Sequence, residues 1–359
     1  MKLIISAGGT GGHIFPGIAV AETFVAQGQE NKVVFIGTTY GLESKIIPQY
    51  GFRLLFVEAR QFLGKSAVYK IATLFYILKG ICTCMRIIRR EKPDAILGMG
   101  GFTSVPVIFA GAILGIPVFL HEQNAEPGLA NKILSKYAKA TFISFAESGE
   151  LLKSKNVYYT GNPVRQAVKG PRETKNDETF GIFVFGGSRG AKSINESVLS
   201  LLPYIEGYKN VVIYHQTGAE EYERIKVAYE KTDIRHEVFP FTDNMANYYN
   251  RSDVVISRAG ASTIFELAYF RKAAILIPYP FSAGQHQWKN ASHVENAGGG
   301  YIIGNDEASG ERLHGVIKHL MNEPVLLKQM GENIGRLYVD DAQERIITKI
   351  QEAVAGKQD

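Results

Sequence analysis

The chain has 359 residues, which predicts two domains, and its 45% hydrophobic and 21% charged residues are typical of a globular protein. Its two cysteines, Cys82 and Cys84, exclude a disulfide framework and a cysteine metal site and favour a reducing compartment. The formal net charge is +5. The excess lies in the first half, because residues 1–163 hold 17 basic and 10 acidic side chains.

Strands and helices alternate through the first half, at residues 3–6, 17–27, 32–36, 42–50, 54–57, 67–90, 95–97, 104–114, 117–120, 127–137, 140–143 and 157–159. The apolar run at the start ends within about four residues, at glycines, so we expect no signal peptide. The uncharged stretch 98–120 contains two prolines and divides into strand, helix and strand. We therefore interpret it as part of a buried parallel sheet and not as a membrane span.

A second series begins after Gly161-Asn162-Pro163 and a polar stretch, with strands near 181–185, 211–215, 236–239, 253–256, 274–277 and 301–303 and a helix near 340–355. Alternating strands and helices are typical of a parallel sheet with helices on both faces. We predict an N-terminal domain at 1–162, a C-terminal domain at 163–340, and a helix at 341–359 that packs back toward the N-terminal domain.

Two glycine-rich turns are the strongest signal. Gly8-Gly9-Thr10-Gly11-Gly12-His13 follows one apolar strand, and Gly186-Gly187-Ser188-Arg189-Gly190-Ala191 follows another about 178 residues later. A strand, a tight turn and a helix direct backbone N–H groups and the positive end of the helix dipole at one point, which suits a diphosphate. The repetition predicts two similar α/β domains facing a shared cleft.

Three kinds of nucleotide-binding enzyme are considered for such turns. The dinucleotide pattern fails, because Ile14 occupies the position of the third glycine and no acid follows the second strand. The phosphate-binding loop of NTPases is a near miss at GGSRGAKS, where Ala191 replaces the last glycine. The third kind, a nucleotide-sugar enzyme that binds donor and acceptor, explains further residues.

Polar residues follow several predicted strands. Glu266 is expected in the first turn of a helix, where it can accept both ribose hydroxyls or stabilise the helix N-terminus. Gln285-His286-Gln287 and Asn290 suit a hydroxyl-rich sugar, with a solvated loop as the alternative. His121-Glu122-Gln123-Asn124 ends a parallel strand, at the edge where ligands bind. No Asp-x-Asp occurs, so helix dipoles and amides are expected to stabilise a leaving diphosphate.

Eight motifs occur in order between residues 8 and 291: GGTGGHIFPGIAVA, GMGGF, IPVFLHEQN, GNPVR, FGGSRGA, HQTG, RAGASTIFELA and QHQWKNA. Together they resemble the MurG family of N-acetylglucosaminyltransferases of bacterial peptidoglycan synthesis. The resemblance covers nearly the whole chain. It implies the GT-B fold, an α/β architecture in which a deep cleft separates two Rossmann-like parallel-sheet domains.

The resemblance also implies an activity. It is the inverting transfer of N-acetylglucosamine from UDP-N-acetylglucosamine to the C4 hydroxyl of the N-acetylmuramoyl unit of lipid I, which gives lipid II, without metal or other cofactor. The implied donor residues are Arg165 beside the nucleotide, Ser188 at the diphosphate, Phe241 and Thr242 at the uracil, Glu266 at the ribose, and His286, Gln287 and Asn290 at the sugar. From the first half, Thr10, Gly11, Gly12, His13, Glu122, Asn124 and Asn131 would face the cleft. Some family members have glutamine where this chain has His286.

Inversion by one direct displacement needs a base for the acceptor proton. His13 is the first candidate, because an unperturbed imidazole has a pKa of about 6.5, which is close to the working pH. Glu122 is the second candidate, or orients His13. The alternative for His13 is a residue that binds the acceptor phosphate without moving a proton.

A lipid acceptor gives a reason for the basic segment 60–92. Helix 67–90 combines two apolar stripes with basic residues, and a membrane patch is predicted at Leu74, Phe75, Leu78, Lys79 and Ile81. A basic solvated face is the alternative. The expected partners are UDP-N-acetylglucosamine, lipid I, an anionic membrane surface and other cell-wall synthesis proteins, with no nucleic acid.

The expected location is the bacterial cytoplasm, peripheral on the cytoplasmic face of the inner membrane, with a role in cell shape and division. Three other classes stay open on the residues alone. They are another GT-B lipid glycosyltransferase, a UDP-sugar epimerase of the same architecture, and a UDP-sugar sensor without turnover.

Overall fold

The computed structural model describes residues 1–59, 67–173, 175, 178–187 and 190–356, and for residues 67–75 the backbone alone. The chain divides into two compact units. The first unit is Met1–Arg165 with Val339–Asp359, and the second unit is Gln166–Tyr338.

Strands and helices alternate along the chain, as the sequence predicts. The strands are β1 (Lys2–Ser6), β2 (Lys32–Gly37), β3 (Arg53–Phe56), β4 (Ala95–Gly98), β5 (Val118–Glu122), β6 (Ala140–Ile143), β7 (Val157–Tyr159), β8 (Phe180–Phe185), β9 (Val211–Gln216), β10 (Arg235–Phe239), β11 (Val254–Ser257), β12 (Ala273–Leu276) and β13 (Gly300–Ile302). The helices are α1 (Gly11–Ala26), α2 (Glu43–Gln49), α3 (Ala67–Glu91), α4 (Ser104–Ile113), α5 (Leu129–Leu134), α6 (Lys192–Ile205), α7 (Tyr222–Tyr229), α8 (Met245–Arg251), α9 (Ala261–Phe270), α10 (His286–Asn296), α11 (Gly310–Asn322), α12 (Pro324–Gly335) and α13 (Ala342–Ala355).

The sheet of the first unit has seven parallel strands in the order β3-β2-β1-β4-β5-β6-β7. Successive side chains of a strand point to opposite faces, so Leu3 and Ile5 lie in one apolar cluster and Ile4 in another. Helices α1 and α13 cover the first cluster, and α3 and α4 cover the second. Buried strands between two helix layers explain the continuous apolar runs of this half.

The sheet of the second unit has six parallel strands in the order β10-β9-β8-β11-β12-β13. In both sheets the strand order reverses beside the first strand of the unit, between β1 and β4 and between β8 and β11. Ligands of open parallel sheets bind at this point, outside the carboxyl ends of the strands. The two glycine-rich turns follow β1 and β8, so each lies at that place in its own unit. The predicted α/β fold class, with two Rossmann-like parallel-sheet domains, is confirmed.

Helix α1 begins six residues earlier than the sequence predicts. Gly11, Gly12 and Pro16 are poor helix formers, which favours a loop on propensity alone. The Thr10 carbonyl nevertheless accepts hydrogen bonds from the N–H groups of His13 and Ile14, at 3.1 and 3.2 Å. The turn of helix that they close places His13 on α1 itself, directly after the glycine turn.

The uncharged stretch 98–120 forms the end of β4, α4 and the start of β5. The prediction of a strand, a helix and a strand is confirmed. Within the described residues, no helix combines the length and the apolar character that crossing a bilayer requires.

Candidate active site

The turn after β1 holds the imidazole of His13. His13 Nδ1 lies 3.2 Å from the carbonyl oxygen of Gly8 and 3.4 Å from Thr10 Oγ1. A carbonyl oxygen accepts hydrogen bonds and cannot donate them, so Nδ1 carries the proton. In the neutral ring the lone pair then lies on Nε2, which is the nitrogen able to accept a proton.

The loop after β4 lies against the same ring. Gly100 and Gly101 have φ angles of +92° and +75°, which favour glycine. A Cβ atom would lie 3.3 Å from His13 Nε2 at Gly100, and 3.3 Å from His13 Nδ1 at Gly101. Backbone without side chains is therefore needed beside the imidazole, which explains the motif GMGGF.

Glu122 ends β5 and is buried. One carboxylate oxygen accepts from the backbone N–H and the side-chain amide of Asn124, at 3.0 and 3.1 Å. The other accepts from Asn131 Nδ2 at 2.8 Å and from the Gly128 N–H at 3.1 Å. Burial raises the pKa of Glu122, and these four hydrogen bonds act against that rise. Through these hydrogen bonds Glu122 holds the loop between β5 and α5 in place.

Asn131 connects Glu122 to the His13 ring. Its amide also donates to the His121 carbonyl at 3.1 Å, and a Cβ atom on Gly100 would lie 3.2 Å from the same nitrogen. The structure thus brings together His13, Glu122, Asn124 and Asn131 around the ends of β1, β4 and β5, with Thr10, Gly11 and Gly12 at the start of α1.

Arg165 lies in the first unit. Its guanidinium is centred 3.7 Å from the middle of the Phe15 ring on α1, and Nη1 donates to the Tyr50 hydroxyl at 2.7 Å. A guanidinium over an aromatic face is attracted by the negative charge of that face. Arg165 is therefore positioned by α1 and the end of α2, because its ring partner Phe15 lies two residues after the first glycine turn.

The second glycine turn, between β8 and α6, packs backbone against backbone. Gly187 and Gly190 have φ angles of +98° and +75°, and a Cβ atom on Gly190 would lie 2.0 Å from the Thr217 carbonyl oxygen. No side chain fits there, which explains the glycine. Ser188, predicted at the diphosphate, lies outside the described residues.

Gln216 connects this turn to the segment predicted to contact uracil. Its amide donates to the Gly187 carbonyl at 3.2 Å, and its Oε1 accepts from the Thr242 N–H at 3.1 Å. The neighbouring Phe241 side chain is exposed. Gln216, in the motif HQTG, thereby fixes the distance between the glycine turn and the segment Phe241-Thr242.

Buried side chains joined by hydrogen bonds hold the Thr217 carbonyl, against which Gly190 of this turn packs. His215 lies between Asn195 Oδ1 and the Tyr229 hydroxyl, at 3.1 Å from each, and Asn195 Nδ2 donates to the Thr217 carbonyl at 3.0 Å. Burial lowers the pKa of His215 to about 3, so the ring is neutral at physiological pH.

Glu266 lies in the second turn of α9, so the prediction that it occupies the first turn is wrong. Helix α9 begins at Ala261, five residues before the carboxylate, and Gly260 is its N-cap. A helix dipole acts mainly within the first turn, so stabilisation of the N-terminus does not explain this acid. Glu266 is nearly buried, and its Oε2 accepts from the Tyr249 hydroxyl at 2.9 Å.

Helix α10, which follows β12, carries the residues predicted at the sugar. Gln287 Oε1 accepts from the Tyr279 N–H at 2.9 Å, and His286 Nδ1 donates to the Ala283 carbonyl at 2.6 Å. Burial lowers the pKa of His286, so the neutral ring presents an accepting Nε2. Asn290 is fully buried, and its amide donates to the Ala259 carbonyl at 3.2 Å, which ties α10 to the turn before α9.

Arg258 is a residue whose role sequence reasoning missed. Nη2 donates to Ser193 Oγ at 2.7 Å, and Nη1 donates to the Asn305 side chain and the Ile277 carbonyl, both at 2.9 Å, and to the Pro278 carbonyl at 3.2 Å. Arg258 thus joins the start of α6 to the segment between β12 and α10, and α10 carries His286 and Gln287. Its position at the end of β11, in RAGAS, was the available signal.

Comparison with known proteins agrees with this arrangement. The model of the glycosyltransferase family 28 N-terminal domain matches residues 3–143, and that of the C-terminal domain matches residues 181–346. The chain belongs to glycosyltransferase family 28. The predicted family and the prediction of a hexosyltransferase are confirmed.

Relatives within the family match almost end to end. The chain is 40% identical to the UDP-N-acetylglucosamine--N-acetylmuramyl-(pentapeptide) pyrophosphoryl-undecaprenol N-acetylglucosamine transferase of Geotalea uraniireducens, over 98% of each chain. The protein of that name from Thermodesulfovibrio yellowstonii is 40% identical over 92% of each chain. The crystal structure of MurG from Acinetobacter baumannii superposes with a TM-score of 0.80 at 30% identity, over 98% of this chain and 99% of that chain.

The UDP-GlcNAc 2-epimerase of Neisseria meningitidis superposes with a TM-score of 0.66 at 14% identity, which shows a shared fold alone. Within the described residues of this family 28 chain, no group of three or more His, Cys, Asp or Glu side chains is arranged to hold a metal ion.

Apolar side chains are exposed on adjoining helices of the first unit. We call the following set the apolar patch: Leu78 on α3, Ile113 on α4, Leu129 and Ile133 on α5, and Tyr137 in the 3-10 turn after α5. Lys79 is exposed beside Leu78 and pairs with Glu58 at 2.8 Å. Ile81 is half-buried and packs against the core, so it does not belong to the patch. The side chains of Leu74 and Phe75 lie outside the described residues.

Proposed function

We propose that this protein transfers N-acetylglucosamine from UDP-N-acetylglucosamine to the lipid-linked N-acetylmuramyl-pentapeptide diphosphate named in its relatives. The observation that carries the proposal is the 40% identity to those transferases over 98% and 92% of each chain. The geometry supports it, because a histidine nitrogen that is able to accept a proton lies at one glycine turn, and the other glycine turn precedes a helix N-terminus, which suits an anion.

In the proposed reaction the C4 hydroxyl of the N-acetylmuramoyl unit attacks the anomeric carbon of the donor. The bond from that carbon to the diphosphate oxygen breaks, UDP leaves with the electron pair, and the configuration inverts. His13 Nε2 accepts the hydroxyl proton, as the Nδ1–H bond to Gly8 allows. Glu122, whose two oxygens each accept two hydrogen bonds, holds the loop of Asn124 and Asn131 and does not serve as the base.

Apart from Arg165, the proposed donor residues belong to the second unit. The backbone at Gly186, Gly187 and Gly190 and the start of α6 offer N–H groups and a helix dipole to the diphosphate. Glu266 accepts from the ribose hydroxyls, the backbone at Phe241 and Thr242 contacts uracil, and His286 and Gln287 contact the sugar. Preorganised donors stabilise the leaving group in this scheme, so we propose that the reaction needs no metal.

The test is UDP release from UDP-N-acetylglucosamine in EDTA, with and without the lipid-linked acceptor. We expect release only when the acceptor is present. Release that needs magnesium would contradict the metal-independent scheme. Turnover of the donor alone would indicate an epimerase, and turnover only with another lipid would indicate a related transferase.

We also propose that the apolar patch rests on an anionic bilayer, at the cytoplasmic face as the family resemblance implies. Leu78, Arg86 and Arg89 are exposed along α3, and Lys136 lies 4.7 Å from the centre of the Tyr137 ring. Apolar side chains among exposed cations suit insertion between anionic headgroups, where each basic residue contributes about 1 kcal/mol.

Vesicle sedimentation tests this surface. Replacing Leu78 and Ile113 by Glu should weaken binding to phosphatidylglycerol vesicles, whereas Val325→Glu, at an exposed apolar position of the second unit, should leave it unchanged. Equal binding by both variants would show that the patch does not contact lipid.

A further inference from the structure

We propose that Glu43, a residue without an assigned role, positions and polarises His13 through the peptide group between Gly8 and Gly9. The carboxylate accepts a hydrogen bond from the N–H of that peptide group, and the carbonyl of the same group accepts one from His13 Nδ1. The inference rests on the proposed function, in which His13 is the base.

Glu43 is the first residue of α2 and is fully buried. Its Oε2 accepts from the Gly9 N–H at 3.0 Å, and its Oε1 accepts from the Thr38 N–H at 2.9 Å and from Thr38 Oγ1 at 2.7 Å. In the part of the chain that the structure describes, these hydrogen bonds all come from uncharged donors. A carboxylate placed this way attracts the positive end of whatever dipole faces it.

The dipole that faces Glu43 is the peptide group of Gly8 and Gly9. The carbonyl oxygen of Gly8 and the N–H of Gly9 belong to one planar unit and point in opposite directions. The N–H points to Glu43 and the oxygen points to His13 Nδ1, at 3.2 Å. An acceptor on the N–H side polarises the unit and makes its carbonyl a stronger acceptor, because hydrogen bonds in a chain strengthen one another.

Packing leaves this peptide group little room to move. A Cβ atom on Gly8 would lie 2.7 Å from Thr103 Cγ2 and 2.8 Å from Glu43 Oε1. Gly9 has a φ angle of +89°. Glycine at both positions therefore allows the carboxylate to approach the turn closely. The arrangement places a carboxylate behind the imidazole, as in a catalytic dyad, with one peptide group between the two.

Other ionisable groups also lie near His13. His121 on β5 interacts with it electrostatically, but burial lowers the pKa of His121 to about 4, so that ring is neutral at working pH. Glu122 at the end of β5 is bound by four hydrogen bonds, and Arg165 lies over Phe15, two residues along α1. Gly100 and Gly101, in the loop after β4, contribute no titratable group. Glu43 differs from these groups because a continuous hydrogen-bonded path leads from it to Nδ1.

The consequence concerns the basicity of His13. A stronger acceptor at Nδ1–H favours the Nδ1-protonated tautomer and stabilises the imidazolium that forms in the reaction. Removing the charge of Glu43 should lower the pKa of His13 by roughly 0.5 to 1, less than the 1 to 3 of a direct ion pair. Because a weaker base removes the acceptor proton less effectively, kcat should fall by about threefold to tenfold, with KM for the donor unchanged.

The test is nitrogen NMR of histidine-labelled protein, with the His13 signals assigned by their loss in His13→Gln. In the wild type we expect the Nδ1-protonated tautomer, and we expect the Gly9 amide proton to shift as His13 titrates. In Glu43→Gln we expect a lower His13 pKa. Thr38→Val is the matched control, since it removes a hydrogen bond from the same carboxylate but keeps the charge, and it should leave the His13 pKa close to wild type.

An unchanged His13 pKa in folded Glu43→Gln, or the same fall in Thr38→Val, would overturn the proposal. If Glu43→Gln does not fold, a wild-type Gly9 amide that does not respond to His13 titration would overturn it. These readouts need no turnover. Failure of the proposed function would appear separately, as wild-type protein that releases no UDP with the lipid-linked acceptor.

Discussion

A backbone carbonyl decides which nitrogen of His13 is basic. Gly8 can only accept, so the Nδ1 proton is fixed by the turn itself. The flanking glycines at 100 and 101 then hold the ring from the other side. A motif that looks like a phosphate-binding turn in sequence therefore also serves to orient a histidine.

Replacing His13 tests its role as the base. His13→Gln keeps a donor for the Gly8 carbonyl but has no group that titrates near neutral pH, so kcat at saturating acceptor should fall by about a hundredfold or more. UDP affinity, measured by calorimetry, should stay at the wild-type value because, apart from Arg165, the predicted donor residues belong to the second unit. Near-wild-type turnover would contradict the assignment and favour a role in binding acceptor phosphate.

At the scale of elements, most strands and helices are predictable, because apolar runs bounded by glycine and proline mark buried strands. The start of α1 is not, since it depends on hydrogen bonds to the Thr10 carbonyl and opposes the propensity of its glycines. Glu266 lies one turn further along α9 than the sequence predicts, for the related reason that the sequence does not show where α9 begins.

Contacts between distant segments escape sequence reasoning altogether. Glu43 reaches Gly9 across 34 positions only because β2 pairs with β1 and their carboxyl ends lie side by side. The location of Arg165 over Phe15 depends likewise on how the chain returns to α1. The ligand roles of Thr242, Glu266, His286 and Gln287 stay predictions.

Arg258 couples two elements of the second unit, and its replacement tests that coupling. A lysine ammonium cannot reproduce the fork that contacts Ser193, Asn305 and two carbonyls. Arg258→Lys should lower the free energy of unfolding by about 2 kcal/mol or more. It should also weaken UDP-N-acetylglucosamine binding, because Arg258 no longer joins the start of α6 to the segment between β12 and α10.

Urea unfolding and calorimetry measure the two effects. Arg312→Lys, at an exposed position of α11 in the same unit, is the control and should change neither quantity. A loss of stability without a loss of donor affinity would show that Arg258 holds the fold but does not position the donor residues.

At the scale of the whole molecule, each unit contains one fully buried neutral histidine. Burial lowers the pKa of His121 in the first unit to about 4 and that of His215 in the second unit to about 3. In the unfolded chain, each of these histidines binds a proton with a pKa of about 6.5. The contribution of each histidine to the free energy of unfolding is therefore fully present at pH values above that pKa. It is lost as the pH falls toward the folded pKa values, by about 1.4 kcal/mol per pH unit for each histidine.

His215→Gln isolates one of these contributions. The variant is expected to be less stable at pH 7.5, because a glutamine side chain cannot satisfy Asn195 and Tyr229 with the same geometry. Its free energy of urea unfolding should nevertheless fall less steeply between pH 6.5 and 5 than that of the wild type. Glu122, whose raised pKa acts in the opposite direction, is common to both proteins and cancels in the comparison. His319→Gln, at an exposed position of α11, should retain the wild-type slope. Equal slopes for His215→Gln and wild type would mean that His215 is protonated in the folded state, and the buried chain from Asn195 to Tyr229 would then have to accommodate a charge.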